Sequence, residues 1–117
     1  MRGFFILYKV KPVVYGYKMA LTPEKKVKNK VVQILRQLGA YYFFPATYGM
    51  GRSGVPDVIV CYRGRFIGIE CKAGKNQPTP LQRRELGAIE TMGGISLVIR
   101  EDNMDKLTDT LIGVRDE

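Results

Sequence analysis

The sequence lacks histidine altogether, and this absence excludes several kinds of active site. Metal-dependent enzymes with histidine ligands, Ser-His-Asp hydrolases and Cys-His nucleophile pairs all need an imidazole. Any catalysis must therefore rely on carboxylates, lysine or tyrosine. Cysteine is nearly as scarce, and Cys61 and Cys71 are too few and wrongly spaced for a zinc cluster.

Long apolar runs are absent as well. No stretch of the sequence approaches the roughly 18 to 20 apolar residues that a membrane-spanning helix requires. The N-terminal FFILY is too short, and too soon followed by lysines and Pro12, to resemble a secretory signal. We expect a cytoplasmic protein without a membrane partner. Its 117 residues are typical of one domain, which we assign to residues 19–117, with residues 1–18 as an N-terminal extension of unknown role.

Acidic residues are rare in the first 84 positions. This segment has 16 lysines and arginines against three acids, Glu24, Asp57 and Glu70. The remaining 33 residues have three basic and eight acidic residues, so the net charge of +8 comes from the first part of the chain. Such a basic body favours a polyanionic partner, most simply the phosphate backbone of nucleic acid, although a solvated cationic surface is an equal alternative. The three retained acids require a separate explanation.

The pattern of apolar residues predicts an α/β protein. Thr22-Pro23 and Thr79-Pro80 are typical helix openings, with a hydroxyl N-cap followed by proline. The segments DVIVCY and RFIGIEC read as adjacent central strands, because both are apolar on both faces. The predicted order of elements is α-β-β-β-α-β-α, and we expect a sheet with helices on both faces.

Two of the retained acids lie at matching ends of a predicted hairpin. If the hairpin turns tightly at Arg63-Gly64, the numbers of paired residues sum to 127, and Asp57 lies opposite Glu70. Two facing carboxylates repel each other unless a cation lies between them. We therefore predict a site for a hard divalent cation, Mg²⁺ or Mn²⁺, with Lys72 on the same strand face as Glu70. The register also pairs Ile59 with Gly68, which we expect to leave room beside the carboxylates, and it separates Cys61 from Cys71.

Four further residues have both a functional and a structural interpretation. Glu24 shares the apolar stripe of the first helix and is expected to point inward, although an acid in a first turn also favours the helix dipole. Gln82 fits either a capping box with Thr79 or a place in the active site. Arg52 and Lys75, on loops that flank the site, are expected either to be solvated or to contact nucleic-acid phosphates.

The spacing of these residues resembles a known signature. Pro56-Asp57 followed after a gap by Glu70-Cys71-Lys72 is similar to the PD-(D/E)XK nuclease motif. GRSGVPDVIV, IECKAG and the following TPLQ resemble the VRR-NUC (virus-type replication-repair nuclease) branch over about residues 20–100. The resemblance implies a restriction-endonuclease-like fold, with a mixed sheet flanked by helices, and metal-dependent hydrolysis of DNA.

The resemblance also implies a role for each matching residue. Glu24 would be the acid of the first helix, which binds a second metal ion or a water molecule on the metal. Asp57, Glu70 and the backbone carbonyl of Cys71 would hold Mg²⁺ or Mn²⁺. Lys72 would be the catalytic lysine, and Gln82 the glutamine after the core motif.

The length of the chain resembles that of the small phage and bacterial members of this family. This resemblance implies a homodimer that cuts branched DNA, such as Holliday junctions, in the cytoplasm of a bacterial or phage-infected cell. Two alternatives remain open. One is a less selective DNA endonuclease, and the other is a non-catalytic DNA-binding module on a nuclease fold.

Overall fold

The computed structural model describes residues 21–46 and 50–117. The N-terminal extension and Tyr48 lie outside these residues. The structure contains three helices and four strands within this part of the chain, in the predicted order. They are α1 (Pro23–Gln37), β1 (Tyr41–Phe43), β2 (Val58–Tyr62), β3 (Arg65–Cys71), α2 (Pro80–Thr91), β4 (Ile95–Ile99) and α3 (Met104–Arg115). None of these helices has the length and apolar character needed to cross a membrane.

Helix α1 begins and ends where the sequence predicts. The Thr22 hydroxyl accepts a hydrogen bond from the Lys25 amide at 3.2 Å, and proline occupies the first helical position. Val27, Val31 and Leu35 are fully buried along one face. The helix stops before Gly39, whose φ of +74° lies in the left-handed region that favours glycine.

The sheet has the order β1-β2-β3-β4, so β2 and β3 are its central strands. β1 and β3 both run antiparallel to β2, whereas β4 runs parallel to β3. The β2–β3 register pairs Val58 with Ile69 and Tyr62 with Arg65, so paired numbers sum to 127 as predicted. Arg63 and Gly64 both have positive φ, 51° and 82°, which is the geometry of a tight two-residue hairpin turn.

Helices cover both faces of the sheet. The main core joins α1 and α3 to one face, through side chains such as Leu35, Ile67 and Leu107. Helix α2 packs on the other face, where a Cβ atom on Gly68 would lie 2.6 Å from Ile89 and 3.0 Å from Pro56. The prediction that Gly68 leaves open room beside the carboxylates is therefore wrong, because Ile89 and Pro56 fill that space.

Strand β2 is covered less completely than predicted. Val58, Val60 and Tyr62 are buried, but Ile59 is only partly buried and Cys61 is exposed on the opposite face. The reason is that α2 packs mainly on β3 and β4. Cys71 is buried, and both thiols are free, as the register predicted.

Candidate functional site

The hairpin brings Asp57 and Glu70 together at one end of the sheet. Asp57 directly precedes β2, and the observed register places it beside Glu70, the next-to-last residue of β3. The Asp57 carboxylate oxygen Oδ2 accepts a hydrogen bond from the backbone N–H of Cys71 at 2.8 Å. This bond fixes the Asp57 carboxylate against the end of β3.

Glu70 is a buried acid without full compensation. Only 1% of the residue is exposed, and within the described part of the chain its Oε1 atom has no hydrogen-bond partner. Its other oxygen, Oε2, lies 3.6 Å from the ammonium nitrogen of Lys72, which is itself buried. A buried carboxylate oxygen with no partner is costly, so this atom requires a ligand or a proton.

The electrostatics of the site reflect this shortage of positive charge. Burial, and then the negative charge of Asp57, raise the pKa of Glu70 to about 8, although Lys72 acts in the opposite direction. Burial and the charges of Asp57 and Glu70 likewise raise the pKa of the Cys71 thiol to about 12. The thiol is therefore protonated at neutral pH and is neither a nucleophile nor a metal ligand.

These residues fit a hard divalent cation. Two adjacent carboxylates, one with an unpartnered buried oxygen, supply the oxygen ligands that Mg²⁺ and Mn²⁺ prefer. Across residues 21–46 and 50–117, no three acidic or cysteine side chains cluster closely enough to hold a metal ion by themselves. Further ligands for such an ion would therefore come from a backbone carbonyl, from water or from substrate, which is usual for Mg²⁺.

Among the described residues, Glu24 does not form a metal-holding group of three acids with Asp57 and Glu70. Glu24 is partly buried in the first turn of α1, and this helix packs on the sheet face to which Cys71 points. The negative charge of Glu24 is a minor cause of the raised pKa of the Cys71 thiol.

Gln82 forms the predicted capping box. Its Oε1 atom accepts from the Thr79 amide at 2.9 Å, and the Thr79 hydroxyl accepts from the Gln82 amide at 3.2 Å. Its structural role is thus clear, whereas its catalytic role stays a prediction.

The two predicted phosphate contacts lie in different surroundings. Lys75 is exposed on the loop that follows β3, where Glu101 accepts a hydrogen bond from the Gly74 amide at 2.9 Å. Arg52, which is 68% exposed, instead binds the carboxylate of Glu85 with two nitrogens, at 2.8 and 3.1 Å. Contact of either residue with nucleic acid stays a prediction.

Sequence reasoning missed Glu85. The residue is buried on α2, with only 6% of its side chain exposed, and both Arg52 and Arg84 approach its carboxylate. The sequence does contain an indication that Glu85 is buried. Glu85 lies four residues before Ile89 and next to Leu86, on the helix face that turns toward the sheet. An acid at that position needs a basic partner.

The raised pKa of Glu70 predicts a pH-dependent stability for the metal-free protein. Between the ordinary pKa of 4.5 and about 8, native Glu70 keeps a proton that the unfolded chain has released. Unfolding therefore releases a proton in this window, and stability falls as the pH rises through it. Calorimetric melting from pH 5 to 8.5 should show this decline, and Glu70→Gln should reduce its slope. Identical slopes for the two proteins would contradict the prediction.

Comparisons with known proteins agree with this geometry. No family model matches the chain. The "Putative nuclease p44" of Acyrthosiphon pisum secondary endosymbiont phage 1 is 33% identical over 92 residues, which cover 76% of this chain and 95% of the phage protein. A solved structure described as a VRR_NUC domain matches with a TM-score of 0.63 and 26% identity, over 76% of this chain and 97% of its own.

A second solved structure, a VRR_NUC domain protein, shares the fold with a TM-score of 0.61 and 21% identity. The match covers 82% of this chain and 92% of that structure. Each of the three matches extends over nearly the whole length of the phage protein or solved structure, and over about three quarters or more of this chain. Together with the hairpin that joins Asp57 to Glu70 and Lys72, these matches establish that the chain belongs to the VRR-NUC family.

Proposed function

We propose that this protein is a metal-dependent endonuclease that hydrolyses phosphodiester bonds in DNA. The observation that carries the proposal is the pairing of Asp57 with Glu70, one of whose oxygens is buried without a partner, next to the ammonium group of Lys72. The phage relative is named a nuclease, which supports the same reaction class. The absence of histidine leaves carboxylates, lysine and tyrosine as the groups available for the chemistry, and carboxylates and a lysine meet at this site.

Asp57, Glu70 and the backbone carbonyl of Cys71 would hold Mg²⁺ or Mn²⁺, and Glu24 would contribute through a water molecule from α1. When bound, the ion supplies positive charge that polarises the phosphate and acidifies a water molecule. Ionised Glu70 is the form that binds the ion, so binding displaces the proton that Glu70 otherwise keeps up to about pH 8.

Lys72 has the position and charge to act on the reacting phosphate. Its nitrogen is held 3.6 Å from Glu70 by a nearly buried side chain, so little motion is needed to reach a group bound beside the carboxylates. There the ammonium group donates to the attacking water or to a phosphate oxygen and balances the developing negative charge. Gln82 would contribute from the first turn of α2, and Arg52 and Lys75 would contact phosphates on either side.

The functional test compares three DNA substrates in three metal conditions. Purified protein is incubated with an end-labelled four-way junction, a flap and a linear duplex, each with Mg²⁺, with Mn²⁺ or with EDTA. We expect cleavage with at least one metal and none in EDTA. Cleavage in EDTA would exclude the metal-dependent reaction. Tight DNA binding without cleavage in either metal would indicate a non-catalytic DNA-binding module instead.

We further propose that the protein is a homodimer that prefers branched DNA in the cytoplasm of a bacterial or phage-infected cell. Resolution of a four-way junction needs two symmetric nicks, and each chain offers one site, so two chains related by a two-fold axis are required. Edge strand β1 presents exposed aromatic side chains, Tyr41 and Phe43, followed by Phe44, as apolar surface for such an interface. The second predicted interface segment, residues 4–8, lies outside the described residues.

The assembly and substrate preference are tested together. Light scattering at micromolar concentration should report a dimer, and the protein should bind a four-way junction at least about tenfold more tightly than a linear duplex, because a dimer contacts more phosphates there. Binding should weaken as salt increases. A monomer that cuts junction and linear duplex equally would indicate the less selective endonuclease.

A further inference from the structure

The loop before Asp57 is fastened to helix α2 by an ion pair. Arg52 Nε lies 2.8 Å from Glu85 Oε1, and Arg52 Nη2 lies 3.1 Å from Glu85 Oε2. This two-pronged geometry is the strongest form of an arginine–carboxylate contact and fixes direction as well as distance. Glu85 is buried and has no part in the reaction proposed above, so its burial on α2 needs another explanation.

Two close contacts follow between Arg52 and Asp57. Gly54 has a φ of +76°, and a Cβ atom at this position would lie 2.7 Å from the carbonyl carbon of Leu81. The loop therefore lies directly against the first turn of α2, as only glycine permits. Pro56, one residue before Asp57, then packs against Gly68 of β3. The loop thus contacts α2 and then β3 before it delivers Asp57 to the site.

Charge explains why Glu85 holds Arg52. A buried carboxylate needs a cationic partner, and the hydrogen bond from Arg52 is the main cause of the lowered pKa of Glu85. Arg84 also approaches Glu85, at 3.5 Å, but it belongs to the same helix. The Arg84 contact is therefore local to α2, whereas the Arg52 contact joins α2 to the loop that carries Asp57.

We propose that Arg52 and Glu85 are positioning residues for Asp57: their ion pair holds the loop in the one conformation that places the Asp57 carboxylate on the Cys71 amide and beside Glu70. The consequence for metal binding rests on the proposed function. The positioning of Asp57 is independent of the proposed function. It can be measured without metal or DNA, because the Cys71 N–H donates to Asp57 Oδ2 and its exchange rate depends on that hydrogen bond.

The test measures amide hydrogen exchange at Cys71 by NMR in metal-free protein. Arg52→Met changes the exposed partner of the ion pair, and the fold should tolerate it because Arg84 remains beside the buried Glu85 carboxylate. Arg84→Met is the matched control, because it removes the other cationic partner of Glu85 without releasing the loop. We expect the Cys71 amide to exchange about tenfold faster in Arg52→Met than in wild type or Arg84→Met. The amide of Val31, in the middle of α1, should exchange equally in all three proteins.

A second measurement follows Mn²⁺ affinity by calorimetry, without DNA. Arg52→Met should bind Mn²⁺ about tenfold more weakly than Arg84→Met, in the range seen when a residue that orients a metal ligand is removed. Arg52→Lys, which keeps the charge but loses the two-pronged contact, should fall between them. Glu85→Gln should reproduce the Arg52→Met exchange at Cys71.

Failure of the positioning role and failure of the proposed nuclease function give different results. Equal Cys71 exchange in Arg52→Met and Arg84→Met would overturn the positioning role, whether or not the protein cuts DNA. Faster Cys71 exchange in Arg52→Met supports the positioning role even if wild-type protein cuts no DNA in any metal, and in that case the proposed function alone is wrong.

Discussion

Asp57→Asn and Glu70→Gln are each expected to abolish DNA cleavage in Mg²⁺ and in Mn²⁺ while leaving the protein folded. Each change removes one of the two carboxyl groups that can bind a metal ion as carboxylates, and it preserves the side-chain shape. The new asparagine can still accept the hydrogen bond from the Cys71 amide, so the strand end should keep its geometry. A hard cation loses a charged ligand in either variant, and the affinity of the site should fall below what catalysis requires.

The same variants should differ from a loss-of-folding mutant in their stability. Glu70→Gln removes a buried, incompletely compensated charge, so above about pH 8 in EDTA it should melt at a higher temperature than wild type. Asp57→Asn should bring the pKa of Glu70 closer to its ordinary value, because the charge of Asp57 is one of the causes that raise it.

The measurement combines gel-based cleavage of labelled DNA with calorimetric melting. Glu90→Gln, the same chemical change at an exposed position of α2, is the matched control and should cut DNA like wild type. Either site variant that cuts at the wild-type rate would show that the carboxylate pair does not carry the reaction.

The site's carboxylate pair follows from local sequence rules, which is why it could be predicted. A two-residue turn at Arg63-Gly64 fixes the register of the hairpin, and the register fixes which residues face each other. Asp57 must therefore lie beside Glu70 if DVIVCY and RFIGIEC are paired strands. The helix openings at Thr22 and Thr79 followed from capping chemistry in the same way.

Features that depend on how helices dock could not be predicted from local rules. The space beside Gly68 is filled because Ile89 of α2 reaches it, and this requires the position of a helix that begins twelve residues later in the chain. The pairing of Arg52 with Glu85 joins residues 33 positions apart. Cys61 is exposed because α2 packs mainly on β3 and β4, although the strand that contains Cys61 reads as apolar on both faces.

Asn103, at the N-cap position of α3, is another residue whose side-chain contacts depend on the surrounding fold. The Asn103 side chain does not cap α3 but accepts from the Arg100 amide and donates to the Val98 carbonyl, at 2.6 and 2.9 Å. These bonds hold the turn after β4, the strand that pairs with β3 at Glu70 and Cys71. A polar residue at a helix start can thus serve the neighbouring strand instead of its own helix.

Lys72→Met is expected to lower the rate of DNA cleavage by roughly 10² or more, the size typical for loss of one preorganised charged group at a reacting centre. Methionine fills most of the lysine volume, so the nearly buried side chain should still pack. Loss of the ammonium group removes a cation that lies 3.6 Å from Glu70 and lowers the pKa of this residue. The pKa of Glu70 should therefore be higher in the variant than in the wild-type protein. Metal binding should therefore be compared at several pH values above about 8, because Glu70 of the variant is expected to keep its proton to a higher pH than in the wild-type protein.

Under these conditions Lys72→Met should still bind Mn²⁺ in calorimetry, because the carboxylate pair is intact and a competing positive charge is gone. The single-turnover cleavage rate at saturating DNA should nevertheless fall, whereas Lys75→Met, at an exposed position of the following loop, should change DNA affinity and leave that rate unchanged. Lys72→Arg should not restore the rate, because the larger planar group does not fit a site shaped for an ammonium. A Lys72→Met protein that cuts saturating DNA at the wild-type rate would assign the lysine to balancing the charge of Glu70 and remove it from the reaction.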